Sequence, residues 1–291
     1  MQGVKPDINY NIEQFIAFNE RQTNFYLFRT EAAVLEAAYR TNGTGPHNLR
    51  LLDVGCGLGT QAAKLSLHGW EAHGIDASDS MLRLGQFQFP AVQRRVRMVR
   101  GIAERLPFQD RSFDLVICQG AMDHFADRQH FVAEVARVLR PGGHLVVALA
   151  NYQSLSCRIG KGMHRMTGKI GVKTPPRLRY WGIPADHTFE GSYKVMKGLA
   201  RGRLRLVDIH GASLFLFLPP WRGLLEMLSF PAAAATFRVV DRLAHRFPWA
   251  ADVVIATWRK EPASPPLWLR RNGRGNGRRR SSAVPSCPAR R

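Results

Sequence analysis

Leu51-Leu52-Asp53-Val54-Gly55-Cys56-Gly57-Leu58-Gly59-Thr60 is an apolar run that closes on three glycines, each two positions after the last. Leu49–Val54 reads as a short strand and Gln61–Leu67 as a helix, so the glycines fall at a strand-to-helix turn. Glycine there lets the backbone turn tightly and approach a ligand closely. The helix after the turn offers free N–H groups and the positive end of its dipole, which suit a carboxylate or a phosphate. A dinucleotide fingerprint would read GxGxxG. Here Gly59 comes one residue early and Thr60 stands where that pattern needs glycine. Taken alone, the loop can also be a tight turn with no ligand.

Outward from this turn, strands and helices alternate. Glu71–Asp76, Val96–Val99, Leu115–Cys118 and His144–Ala150 read as strands, and Ser78–Leu84 and His130–Leu139 as helices. Pro141-Gly142-Gly143 is expected to break the last helix. This order implies a parallel sheet covered on both faces. Ser192–Ala200 reads as a further helix, with strands at Leu204–Ile209 and Asp252–Trp258. Residues 11–40 read helical, and Thr41 to His47 as a loop. The domain plan is therefore an N-terminal helical segment over 1–47 and an α/β domain over 48–261. Within that domain lie a basic excursion over 151–205 and a helical insertion over 213–250. An Arg-rich tail over 262–291 is expected to be disordered.

Asp76 closes the second strand, where a carboxylate can accept hydrogen bonds from two ribose hydroxyls or, alternatively, cap the next helix. Two more stretches complete the set: Gly101-Ile102-Ala103-Glu104-Arg105-Leu106-Pro107-Phe108 with Ser112-Phe113-Asp114, and His124 followed by Arg137-Val138-Leu139-Arg140-Pro141-Gly142-Gly143. In this order and spacing the chain resembles class I S-adenosylmethionine-dependent methyltransferases, nearest to the small-molecule group that includes ubiquinone and menaquinone biosynthesis enzymes. The resemblance runs from about Leu49 to Asn151. It implies a three-layer, Rossmann-like seven-stranded sheet whose last strand is antiparallel, and S-adenosyl-L-methionine as cofactor. It implies that Gly55, Gly57 and Gly59 pack against the methionine part of the cofactor and that Asp76 holds the ribose. Ile102 and Ala103 would line the adenine, and Asp53, Ala77 and Gln119 join the cofactor set. The family often has Asp where Ile102 stands, so the contact to the adenine amino group is lost or replaced.

Methyl transfer needs few groups, because the acceptor must mainly be aligned and water kept out. Where the acceptor must lose a proton, a histidine titrating near neutrality can take it. His187, in Pro184-Ala185-Asp186-His187-Thr188-Phe189, and His124, past the fourth strand, are the candidate catalytic residues; each can equally be a hydrogen-bonded structural histidine. No metal site is expected. The loop Gln119-Gly120-Ala121-Met122-Asp123-His124 lacks the Asn/Asp-Pro-Pro-aromatic sequence of similar enzymes that methylate nucleic-acid amino groups, which makes nucleic acid an unlikely partner.

The chain has 291 residues, 45% of them hydrophobic, and a net charge of +20. Wholesale disorder and a disulfide scaffold are disfavoured: Cys56, Cys118, Cys157 and Cys287 form no CxxC pair, and a reducing cytoplasm fits. Met1 to Tyr10 lacks the pattern of a secretory signal, and no apolar run is long enough to span a bilayer. Residues 262–291 hold eight Arg and no acid, and residues 151–205 hold twelve Lys or Arg against Asp186 and Glu190, so the remainder is nearly neutral. The insertion mixes an apolar stretch, Leu214 to Trp221 and Leu224 to Phe230, with Arg222, Arg238, Arg242 and Arg246. Such a mixture is an interfacial helix or a lid on the sheet; both favour a small or lipid-like acceptor. The expectation is a cytoplasmic enzyme methylating oxygen or carbon, with peripheral contact to anionic membrane. An RNA-binding protein using the basic segment and tail, and a cofactor-binding protein without transfer, are the competing classes.

Overall fold

In the computed structural model of the chain, residues 30–41, 43, 47, 49–89, 94–169, 171, 181–183, 187–215, 227 and 230–262 are described. The expected helix over 11–29, the apolar stretch 216–226 and all of the tail beyond 262 lie outside them. Every helix and strand named below belongs to the unit Met1–Glu261; of the second unit, Pro262–Arg291, only Pro262 is described.

Helix α1 covers residues 30–41. Then come β1 (Arg50–Val54), α2 (Thr60–Ser66), β2 (Glu71–Asp76), α3 (Asp79–Gln88), β3 (Val96–Arg100), β4 (Phe113–Gln119), a single 3₁₀ turn (Met122–His124), α4 (Arg128–Val138) and β5 (Leu139–Ala150). The chain continues through α5 (Leu155–Lys169), α6 (Tyr193–Gly198), β6 (Arg205–Ala212), α7 (Phe230–Arg246) and β7 (Val253–Arg259). The strands form one sheet in the order β3-β2-β1-β4-β5-β7-β6. The first five pair in parallel, and β7 runs antiparallel between β5 and β6.

The strands are apolar because both faces are covered, and alternate side chains go to opposite layers. Leu52, Val54, Val116, Cys118, Leu145, Val147, Val254 and Trp258 join Phe131, Val135 and Val138 of α4 and Met196 of α6 on one face. Leu51, Leu115, Ile117, Val146, Ala148, Val253 and Ile255 meet Val34, Ala37 and Ala38 of α1 on the other. Burying one such Leu or Val side chain fully is worth about 1.5–3 kcal/mol.

Arg137 accounts for the distant 101–108 and 137–143 motifs occurring together. Its guanidinium donates to the carbonyls of Leu106 (2.9 Å) and Phe108 (2.7 Å) and pairs with Asp110 and Glu134, tying the turn after β3 to α4.

Two local expectations need correction. Pro141-Gly142-Gly143 does not separate the helix from its strand: α4 ends at Val138 and β5 begins at Leu139. The pairing shifts from Phe113↔Leu139 to Leu115↔His144, so the extra residues are taken up as an irregular start to the strand. The excursion after Ala150 is not loose throughout, since Leu155–Lys169 is a fifteen-residue helix. Its run of Gly160, Gly162 and Gly168 hid the pattern, because glycine lowers helix propensity without forbidding it.

Candidate functional site

In an open parallel sheet, ligands settle at the C-terminal strand ends where the strand order reverses. Here that point lies between β1 and β4, and two loops meet over it. The first is the glycine turn after β1. Gly55, Gly57 and Gly59 all have positive φ (74°, 52° and 72°), so the spacing read from sequence reflects three left-handed residues in one turn. A Cβ on Gly55 would lie 2.3 Å from the Ala121 Cβ in the loop after β4. Gly85 of α3, which sequence reading passed over, is equally required: a Cβ there would sit 2.2 Å from the Leu58 carbonyl oxygen.

Asp76 reaches across from the end of β2. Its carboxylate accepts from the Gly57 N–H (2.7 Å) and the Ser78 N–H (2.9 Å). The helix-cap reading of Asp76 is corrected: α3 is capped by Ser78, whose hydroxyl accepts from the Met81 N–H. Each carboxylate oxygen has further lone pairs for ligand hydroxyls. Asp53, at the buried end of β1, has its carboxyl pushed up to about 7 by burial first and by the charge of Asp76 second. Burial also raises Asp76, against the pull of the Ser78 and Gly57 N–H groups. Two carboxyls raised in this way favour a ligand that brings positive charge and hydroxyl donors. Gln119, the last residue of β4, has both amide atoms buried without a hydrogen-bond partner among the described residues. Ala103 is buried and Ile102 is 41% exposed, which leaves an apolar surface beyond β3.

These features fit S-adenosyl-L-methionine. Gly55, Gly57, Gly59 and Asp53 would face its amino-acid part, Asp76 and Ala77 its ribose, Ile102 and Ala103 its adenine, with Gln119 nearby. When bound, that cofactor supplies a methyl group made electrophilic by a sulfonium.

The structure brings His187 and His124 together, which the sequence did not indicate. Their rings meet edge to face with centroids 4.7 Å apart. Asp123, to which sequence reading gave no role, joins them. His187 Nδ1 lies 3.2 Å from Asp123 Oδ2, and His124 Nε2 3.9 Å from Asp123 Oδ1. All three side chains are at least four-fifths buried. The Tyr152 hydroxyl lies 3.4 Å from His187 Nδ1. Thr188 fixes the neighbouring backbone, its N–H donating to the Asp123 carbonyl (2.7 Å) and its hydroxyl to those of Asp123 (3.0 Å) and Phe125 (2.7 Å). An acid directly before a histidine in the loop after β4 was the sequence signal for Asp123. Gly55 faces Ala121 and Phe125 of the loop that carries Asp123 and His124, so the histidine cluster and the glycine turn lie together at the C-terminal end of the sheet, where a parallel sheet opens its crevice. Asp123, His124 and His187 are close enough to hold a metal ion, which the sequence did not suggest.

Of the basic residues in the excursion over 151–205, Arg158, Lys161, Arg165 and Lys169 lie on α5, which follows the C-terminal end of β5. Lys173, Arg177 and Arg179 lie outside the described residues. No helix among the described residues is long and apolar enough to cross a membrane.

Comparison with known proteins places the glycine turn and the loop after β4 in one matched block. Residues 52–147 match the family described as a methyltransferase domain. The uncharacterized methyltransferase YcgJ of Bacillus subtilis is 39% identical over 99 residues, which are 34% of this chain and 39% of that protein. The phthiotriol/phenolphthiotriol dimycocerosates methyltransferase of Mycobacterium leprae is 43% identical over 103 residues, 34% of this chain and 37% of its own. The chain thus spans about two fifths of the length of these curated relatives. Among solved structures, a SAM-dependent methyltransferase from Aquifex aeolicus superposes with a TM-score of 0.53 at 12% identity, covering 86% of this chain and 99% of that one, a likeness of fold.

Proposed function

From a chain whose residues 52–147 match a methyltransferase domain, we propose an S-adenosyl-L-methionine-dependent enzyme that moves a methyl group to a small or lipid-like acceptor, at oxygen or carbon, with residues 48–261 as its catalytic domain. The observation that carries this is the shared crevice. There the glycine turn, to which Asp76 is hydrogen-bonded, packs at Gly55 against the loop whose Asp123 pairs with His187.

In this reading the residues divide the work. The glycine turn admits the cofactor's backbone-facing atoms, and Asp76 accepts from its ribose hydroxyls. With its Nδ1 proton directed at Asp123, His187 keeps a lone pair on Nε2 to take the acceptor's proton. Asp123 fixes that tautomer and stabilises the imidazolium that results. Burial of the cluster keeps bulk water from the reacting atoms. The M. leprae relative, named for dimycocerosates, supports the lipid-like end of the acceptor range.

Asp76→Ala is expected to weaken S-adenosyl-L-methionine binding at least about tenfold, since a hydrogen bond to a charged group is worth roughly 1.5–3 kcal/mol. Calorimetric titration measures this, and an unchanged affinity removes Asp76 from the ribose. Transfer of a radiolabelled methyl group to lipid and RNA extracts separates a lipid-methylating enzyme from an RNA-directed one and from a protein without transfer.

A peripheral contact with anionic membrane is the second part of the proposal. On α7, Val239 and Leu243, with Phe247 just past its end, are exposed beside an exposed stripe of Arg238, Arg242 and Arg246. Met163 and Met166 are likewise exposed on α5 beside Arg165 and Lys169. Apolar groups flanked by Arg suit the boundary of an anionic bilayer, each cation adding about 1 kcal/mol near the surface. Co-sedimentation with phosphatidylglycerol vesicles is expected to exceed that with phosphatidylcholine at low salt, and to fall in Arg238→Gln/Arg242→Gln/Arg246→Gln. Equal sedimentation with both lipids contradicts the contact.

A further inference from the structure

Beyond the crevice, a second concavity of about 320 Å³ lies at the C-terminal end of β5. Asn151, Gln153, Arg158, Lys161, Tyr193, Lys194 and Trp249 line it. Three of these seven carry positive charge and two are aromatic. Asn151 is already satisfied: its amide N–H groups donate to the carbonyls of Trp249 (3.1 Å) and Ala251 (2.8 Å), and its oxygen accepts from the Gln153 N–H. Its role is to hold the wall. Lys161 donates to the Tyr152 carbonyl at 3.2 Å and lies 3.7 Å from Glu190. The other acid of this neighbourhood, Asp252, is fully buried and does not line the cavity. Among the described residues, two cations, Arg158 and Lys194, thus line the cavity without an acid on its wall.

Arg158 and Lys194 on one wall repel each other, and an anion seated between them relieves that repulsion. Arg offers a planar fork for carboxylate or phosphate oxygens, and lysine adds a point charge. Tyr193 and Trp249 give apolar surface for the carbon skeleton behind such a group. Tyr152 relates the cavity to His187. Tyr152 turns its hydroxyl to His187 Nδ1, while its neighbours Asn151 and Gln153 line the cavity. An acceptor presenting its reacting atom at His187 therefore has a place for a charged group on the far side of Tyr152.

We propose that this cavity binds the anionic group of the acceptor, a carboxylate or a phosphate, and so restricts the acceptor to acids. This rests on the methyl-transfer reading above for the word acceptor; the anion site itself does not.

The test uses the full chain and three probes by calorimetry at fixed ionic strength: inorganic phosphate, acetate, and dihexanoyl phosphatidic acid below its micelle concentration. Arg158→Gln/Lys194→Gln is expected to weaken binding of at least one probe about tenfold or more. The Arg-rich tail is present in both proteins, so the difference reports on the cavity. Loss confined to phosphate or acetate identifies a soluble acid, and loss confined to phosphatidic acid a lipid headgroup; either supports the site. Equal affinity of parent and variant for all three probes, or no binding of any by the parent, overturns it. S-adenosyl-L-methionine affinity is measured on the same samples and is expected to be unchanged in the variant. A parent that binds phosphate but not S-adenosyl-L-methionine contradicts the methyl-transfer reading and leaves the anion site standing.

Discussion

Turnover is expected to fall about a hundredfold or more in His187→Ala, the usual scale for losing a general base. Affinity for S-adenosyl-L-methionine should stay nearly unchanged, because in the proposed function His187 acts on the acceptor and not on the cofactor. Single-turnover transfer of a labelled methyl group, beside calorimetry on the cofactor, separates the two. Asp123→Asn keeps the side chain's shape but not its charge. As a positioning residue it should lower the rate and move the pH at which the rate rises, since the imidazolium loses the carboxylate that steadies it. His187→Gln is expected to remain as slow as His187→Ala, because an amide can hydrogen-bond but cannot take a proton. A loss below about threefold in His187→Ala transfers the role to His124.

Gly55→Ala is expected to cost about 2–5 kcal/mol of stability. The left-handed backbone contributes about 1–2 kcal/mol for any residue with a Cβ. The clash with Ala121 adds about 1–3 kcal/mol of overpacking, because the new Cβ falls 2.3 Å from the Ala121 Cβ. Denaturant unfolding with and without S-adenosyl-L-methionine measures both the loss and any weakened binding. Gly55→Ala/Ala121→Gly should recover the packing part and leave the backbone part. A double variant no more stable than the single one would show that contact with Ala121 is not the cause.

The sheet was legible because its strands are buried on both faces. Leu115 to Cys118 is apolar at every position, and Glu71–Asp76 begins and ends where the sequence places it. The glycine turn was legible because its constraints are local: a glycine at Gly55, Gly57 and Gly59 answers a backbone torsion, and torsions are set residue by residue. The acceptor side was less so. His187 and His124 were each visible, yet their meeting depends on the long stretch of chain between them and on Thr188 binding two carbonyls of the β4 loop. Asp123 was hidden for the same reason, since its partner lies in a distant segment. Gly85 was missed because what it must avoid is the Leu58 carbonyl, a backbone atom with no signature in sequence.

Thr188 has one more consequence. Its three hydrogen bonds join a segment beyond residue 147 to the loop after β4, so the two halves of the crevice come from separate stretches of chain. The stretch matched by the family, 52–147, holds the glycine turn, Asp76 and Asp123 but not His187, Tyr152 or the cationic cavity. If the proposed function holds, substitutions after Ala150 can change which molecule is methylated while the donor's seat is left intact, provided a residue at 188 still pins the later stretch to the earlier one. The molecule is divided like a tool with a fixed handle and an exchangeable bit, and Thr188 is the coupling between them.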